Sequence, residues 1–177
     1  ATREAENGGA FLADIERQTG IRPRIITGTE EARLIHLAAV YGVDTPNQSV
    51  VIDIGGGSVE ITLGSGRELK FARSFKIGVI RLTERFVTSD PLSGRDERKL
   101  VKHIGEQVDR YVKHVVNAGF DRVVGTSGTI LSIGTVATAI DRGVAYLKGE
   151  QSPRGNWKEM QLYPGGVSAL ATLALLN

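Results

Sequence analysis

The segment Ser49-Val50-Val51-Ile52-Asp53-Ile54 runs directly into three consecutive glycines. A β-branched, apolar run of this length reads as a buried strand, and it carries one acid, Asp53, to its end. Gly55, Gly56 and Gly57 then let the backbone turn tightly and approach another group closely, with amide N–H groups free to point at it. Val59, Ile61 and Leu63 alternate with Glu60 and Thr62, which predicts a second strand. Gly64-Ser65-Gly66 marks a turn, and residues 68–75 can form a third strand. A hairpin turn needs one or two glycines. Three after a buried acid suit phosphate oxygens cradled by backbone amides, with the Ser58 hydroxyl as a further donor. Asp53 can hold Mg²⁺ directly or through water, and Glu60 can share that role.

The flanking segments alternate between helix and strand. Asn7 is placed to cap a helix with Phe11, Leu12 and Ile15 on one face and Gly20 at its end. Arg24-Ile25-Ile26 reads as a short strand. Thr29 reads as the cap of a second helix that starts with Glu30 and Glu31 and carries Ala32, Leu34, Ile35, Leu37 and Ala38. Residues 43–48 form a polar turn and a domain boundary. Residues 78–87 predict a short helix, and Pro91-Leu92-Ser93-Gly94 interrupts the chain. Leu100, Ile104, Val108, Tyr111, Val112 and Val115 then predict a long helix ending at Gly119. Val123-Val124 forms another strand, leading into Gly125-Thr126-Ser127-Gly128-Thr129 and a helix containing Ile130, Leu131, Ile133 and Val136. Residues 143–163 lose periodicity and read as a loop, before a small apolar helix over residues 165–176. The alternation argues for an α/β fold with some antiparallel pairing.

Composition excludes several classes. There is no cysteine, hence no disulfide and no thiolate metal site. No unbroken apolar run reaches the length of a bilayer, so no membrane partner is expected. A net charge of +2 is too small to argue for nucleic acid. His36, His103 and His114 have no metal-ligand spacing. The first residues do not look like a signal peptide, and a cytoplasmic location is expected.

Asp53-Ile54-Gly55-Gly56-Gly57-Ser58-Val59-Glu60, preceded by Gly28-Thr29-Glu30-Glu31-Ala32-Arg33-Leu34, resembles the exopolyphosphatase/guanosine pentaphosphate phosphohydrolase family. The resemblance extends through Gly78-Val79-Ile80-Arg81-Leu82-Thr83-Glu84 and Gly125-Thr126-Ser127-Gly128-Thr129. Arg3-Glu4-Ala5-Glu6-Asn7-Gly8 matches the segment ahead of the first helix. The match spans roughly residues 1–140. It implies an actin/Hsp70/sugar-kinase-like (ribonuclease H-like) fold, a mixed sheet flanked by helices. Residues 1–46 would be the C-terminal part of a first actin-like domain. Residues 47–177 would be the second, with 141–163 irregular.

The resemblance implies that Glu31 is the catalytic base, which orients water and takes its proton during attack on a terminal phosphorus. Without it, Glu30 and Glu31 read equally as helix-start acids that complement the macrodipole. Arg3 matches an arginine that pairs with phosphate, for which a guanidinium fork is suited; near a chain end it also fits a solvated side chain. Gly125 to Thr129 can be a second anion site at a helix start or a point of close helix–sheet packing. Lys76 and Arg81 read as lone surface cations that a polyanion can also use. His36 reads as a partly buried helix residue.

The implied activity is Mg²⁺-dependent release of terminal phosphate from polyphosphate or guanosine pentaphosphate. Polyphosphate and guanosine penta- or tetraphosphate are the implied partners, and a homodimer is compatible. The family's other glycine-serine loop is not found, so the chain is expected to supply one wall of the cleft and, alone, to be nearly inactive. The alternative is a phosphate- or nucleotide-binding module without turnover. A sugar kinase or chaperone of the same superfold fits less well, because the Gly28 to Arg33 segment looks specific to the phosphatase branch.

Overall fold

The computed structural model describes residues 2–43 and 47–154. In chain order the elements are α1 (Gly8–Thr19), α2 (Gly28–Gly42), β1 (Gln48–Ile54), β2 (Val59–Ser65), β3 (Glu68–Phe75), α3 (Val79–Phe86), α4 (Gly94–Ala118), β4 (Arg122–Thr126) and α5 (Ser127–Glu150). They form two compact units, residues 1–130 and 131–177.

The first unit holds one mixed sheet in the order β3-β2-β1-β4. Strands β1, β2 and β3 form an antiparallel meander, and β4 joins β1 in parallel after the α3–α4 crossover. The pleat sorts side chains onto two faces. Val50, Ile52, Val59, Ile61, Leu63, Phe71 and Phe75 point to one face, where Ile104, Val108, Tyr111 and Val115 of α4 pack on them. Leu63 is 1% exposed, and burying such a side chain contributes roughly 1.5–3 kcal/mol. Arg73 sits on the same face with its guanidinium 4.1 Å above the Tyr111 ring. The other face is covered by α2. There His36 is fully buried, with Nδ1 2.9 Å from the Thr62 hydroxyl and Nε2 3.0 Å from the Gly66 carbonyl. A backbone carbonyl only accepts, so Nε2 carries the proton and Nδ1 accepts from Thr62.

Helix ends follow the local chemistry. The α2 cap is Thr27 rather than the expected Thr29. Its backbone is extended and its hydroxyl accepts from the Glu30 amide at 3.2 Å, so Thr27-Gly28-Thr29-Glu30 has the spacing of a capping box. The sheet-facing side of α2 is Ala32, His36 and Ala39, while Leu34 stays exposed; the expected apolar set omitted the histidine. Asn7 does stand at the α1 cap position, but its side chain makes no capping bond. Residues 24–26 form no strand, because no ladder partner exists for them among the described residues. Ser93 caps α4 by accepting from the Asp96 amide. Asp96 is 6% exposed and accepts from Thr88 at 2.6 Å. Its carboxyl lies below the usual range, chiefly because Thr88, Lys99 and Ser93 hydrogen-bond to it.

In the second unit the helix continues to Glu150, which corrects the loop expected from residue 143. Gly143 and Gly149 lie within this helix, and an isolated helical glycine costs only about 1 kcal/mol. Within this stretch Thr135 and Thr138 donate back to Leu131 and Gly134 carbonyls at 2.9 and 2.8 Å. Such internal bonding lets threonine sit in an apolar helix. The helix is 24 residues long and largely apolar. By length and composition it is therefore sufficient to cross a membrane, although polar residues interrupt any unbroken apolar run. The expected helix over residues 165–176 lies outside the described residues, as do residues 44–46 of the expected boundary turn.

Candidate functional site

Four residues form one row across the four strands. Ser74 on β3 faces Glu60 on β2, Glu60 faces Asp53 on β1, and Asp53 faces Thr126 on β4. Directly opposed residues share a sheet face, and this is the face covered by α2. The row sits where β1 ends and the glycine loop begins. Each carboxylate is held by a hydroxyl from its outer neighbour. Ser74 donates to Oε1 of Glu60 at 2.6 Å, and Thr126 donates to Oδ2 of Asp53 at 2.6 Å. Glu60 is 2% exposed. Burial pushes its carboxyl up from the ordinary value; hydrogen bonds from Ser74 and Ser58 oppose this, and the charges of Glu31 and Asp53 add to it.

The glycine loop is tied from behind. Val79 donates to the Gly55 carbonyl at 3.0 Å, and Ile80 and Arg81 donate to the Gly56 carbonyl at 2.9 and 3.3 Å. These are the first amides of α3, which lack partners within their own helix. The Arg81 side chain adds a bond from Nε to the Gly57 carbonyl at 3.2 Å. With loop carbonyls turned toward α3, the Gly56 and Gly57 amides donate to no backbone carbonyl among the described residues. A set of free amides beside two carboxylates is what a phosphate loop requires. None of the three glycines has a positive φ. Their value lies in close approach. A Cβ on Gly56 would lie 2.8 Å from the Ile80 side chain, and one on Gly78 would lie 2.4 Å from Gly56 backbone atoms, whereas Gly57 faces open space.

Glu31 lies in the first turn of α2, near enough to Glu60 for its charge to act on that carboxyl. Its carboxylate is paired with Arg3. The approach is enforced by Gly28, where a Cβ would sit 2.6 Å from Cβ of Ser74 and 3.2 Å from the Arg3 guanidinium. Glu30 points elsewhere and pairs with Arg33 at 3.2 Å, consistent with a helix-start acid.

The segment after β4 resolves the two readings left open for it. A Cβ on Gly125 would lie 2.5 Å from the Ile130 side chain, so this glycine serves close packing. Thr126 spends its hydroxyl on Asp53. Ser127 adopts φ 75 and donates to the Ile54 carbonyl at 2.8 Å, bracing the residue that enters the glycine loop. A positive φ on a non-glycine residue is strained and persists where surrounding contacts hold it.

The structure thus gathers Asp53, Glu60, Gly55, Gly56, Gly57, Ser58, Glu31 and Arg3 at one end of the sheet. Among the described residues no group of three or more His, Asp or Glu side chains forms a metal cage. Asp53 and Glu60 stand opposite each other across β1 and β2, and a Mg²⁺ ion, which keeps several waters, needs only one or two such carboxylates. Sequence reasoning assigned no role to Ser74, Gly78 or Glu4. Gly78 was visible as the glycine immediately ahead of α3. Ser74 was not, because its place depends on strand register. Lys76 and Arg81 are not lone cations: both pair with Glu4.

The family model described as the Ppx/GppA phosphatase family matches residues 1–151. A guanosine-5'-triphosphate,3'-diphosphate pyrophosphatase of Photobacterium profundum is 27% identical over 139 residues, 78% of this chain and 28% of that protein. One of the same name from Vibrio parahaemolyticus is 28% identical over 77% of this chain and 28% of its own length. The chain therefore spans little more than a quarter of these relatives. Among solved structures, an exopolyphosphatase-like protein is 29% identical with a TM-score of 0.70, matching 99% of this chain and 61% of its own. An exopolyphosphatase from Cytophaga hutchinsonii shares the fold with a TM-score of 0.67 at 22% identity, over 99% of this chain and 63% of its own.

Proposed function

This chain belongs to the Ppx/GppA phosphatase family, and from that premise we propose that its site serves hydrolysis of a terminal phosphoanhydride bond. The substrate class is a phosphate polyanion, inorganic polyphosphate or guanosine pentaphosphate. The observation that carries the reading is the approach of Glu31 to the Asp53–Glu60 row, next to a loop whose Gly56 and Gly57 amides have no backbone acceptor among the described residues.

The Gly56 and Gly57 amides hold the oxygens of the terminal phosphoryl group, and the Ser58 hydroxyl can turn to them from Glu60. Glu31 orients a water and accepts its proton as the water oxygen attacks phosphorus in line and the bridging P–O bond breaks. The bridging oxygen leaves with the shortened chain, and inorganic phosphate is released. Arg3 holds the Glu31 carboxylate in place before substrate arrives, and its guanidinium can then share a phosphate oxygen. Asp53 and Glu60 would hold Mg²⁺, which neutralises phosphate charge when bound.

The test is Glu31→Gln in the intact protein. Phosphate release should fall by roughly 10²–10⁴-fold, the usual range for loss of a general base, while polyphosphate binding by calorimetry persists. Near-normal turnover would remove Glu31 from the role. Tight binding of guanosine tetraphosphate by the unaltered protein, without phosphate release from any polyanion, would replace the hydrolase reading with that of a binding module.

A further inference from the structure

We propose that Glu4 is a specificity-determining residue: its carboxylate occupies a two-cation subsite, Lys76 and Arg81, that takes a non-terminal phosphate of the polyanion. The proposal rests on the phosphohydrolase reading for its substrate class, and its geometry is independent of Glu31. Glu4 lies on the turn ahead of α1, and its two carboxylate oxygens go to different cations. Oε1 meets Lys76 Nζ at 2.5 Å and Oε2 meets the Arg81 guanidinium. Lys76 follows β3 directly, and Arg81 lies in the first turn of α3 with Nε on the Gly57 carbonyl at 3.2 Å. Arg81 is therefore anchored to the glycine loop that would hold the terminal phosphate, and Glu4 links Lys76 to it.

A carboxylate bridging two cations has the charge and oxygen spacing of a phosphate group, and the cations keep Glu4 ionised, lowering its carboxyl to about 2. The arrangement does little for stability. The side chains of Lys76, Arg81 and Glu4 are 76%, 40% and 39% exposed, and exposed ion pairs contribute little. A non-terminal phosphate carries one negative charge, as the carboxylate does, but it arrives tethered to a chain already held at the glycine loop, and that raised effective concentration lets it displace the carboxylate. Polyanions long enough to reach past the loop then gain a contact that a short one lacks. Glu4 thus sets a threshold: it competes with weak anions and yields to extended ones. Arg3, the neighbouring residue, pairs with Glu31, so one turn of chain reaches both the base and the subsite.

The experiment uses the intact protein with Glu4→Gln, Lys76→Gln and the double variant. Arg81 is left alone because it also holds the loop. Polyphosphates of defined length, guanosine pentaphosphate and orthophosphate are compared at low and high salt, by turnover and by calorimetric binding. Glu4→Gln should tighten long polyphosphate about two- to fivefold, the scale of an exposed charge pair, and orthophosphate not at all. Lys76→Gln should weaken long chains and cancel most of the Glu4→Gln gain, and both effects should shrink at high salt. A gain confined to guanosine pentaphosphate would assign the subsite to the nucleotide's phosphates rather than to inorganic chains. Unchanged or weaker binding in Glu4→Gln, or simple additivity in the double variant, would overturn the proposal. Absence of turnover in the unaltered protein would sink the hydrolase reading alone, since binding still decides the subsite.

Discussion

Thr126 on β4 donates its hydroxyl to Oδ2 of Asp53 on β1 at 2.6 Å, across the parallel pair that closes this side of the sheet. The bond fixes the rotation of the acid at the mouth of the glycine loop. Thr126→Val keeps the shape and removes the donor. It should lower phosphate release and Mg²⁺ response by about 10- to 100-fold, as loss of an outer partner does at metal sites. Thr126→Ser should retain most of both. A magnesium titration of the rate, run beside thermal melts, separates this from unfolding.

Gly78 and Gly57 make an opposed pair of predictions. A Cβ on Gly78 would meet backbone of the glycine loop, and backbone cannot rotate aside, whereas a Cβ on Gly57 meets nothing. Gly78→Ala should cost about 1–3 kcal/mol in urea unfolding, the range for overpacking. Gly57→Ala should leave the unfolding free energy within about 0.5 kcal/mol of the parent and reduce phosphate binding instead, because its face is the one open to ligand.

Gly28→Ala should destabilise on the same scale, through contact with Cβ of Ser74 at 2.6 Å. The partner is a side chain, so the cost is coupled to it. In the Gly28→Ala/Ser74→Gly double variant the stability losses should sum to less than their separate values, by at least about 0.5 kcal/mol. Strict additivity by denaturant melts would contradict this packing.

Burial raises the Glu60 carboxyl in the folded chain above its unfolded value. A raised acid favours folding below its unfolded pKa, and that contribution is lost as pH rises through the folded value. Glu60→Gln removes the charge while retaining an acceptor for Ser74. The variant should therefore melt higher than the parent near pH 8, with the advantage shrinking toward pH 4, and it should lose Mg²⁺-dependent activity. Melting curves across that range, without added metal, check the sign.

Much of this was legible in residue order. The run Ser49 to Ile54, the alternation from Val59 to Leu63 and the three glycines specify a strand, a loop and a strand by local rules alone, and the structure has them at β1, the glycine loop and β2. The ordered motifs around Glu31, Asp53, Gly78 and Gly125 carried the family. The extent of α5 and the cap of α2 were misread, because single glycines are weak breakers and either Thr27 or Thr29 can cap by type.

Register and approach were decided elsewhere. Counting back from the turn, with Ser65 opposite Glu68, an unbroken hairpin would set Arg73 beside Glu60. The irregularity between Leu63 and Gly64 shifts the pairing by one residue. Ser74 then meets the acid, and Arg73 goes to the opposite face over Tyr111. Because strand side chains alternate with period two, a one-residue shift exchanges the faces. The sequence by itself determined which residues could make a phosphate loop and a general base. Only the tertiary structure decided which hydroxyl holds Glu60, which helix ties the loop carbonyls back, and which acid covers Lys76 and Arg81, because each depends on segments far apart in the chain meeting at a single register.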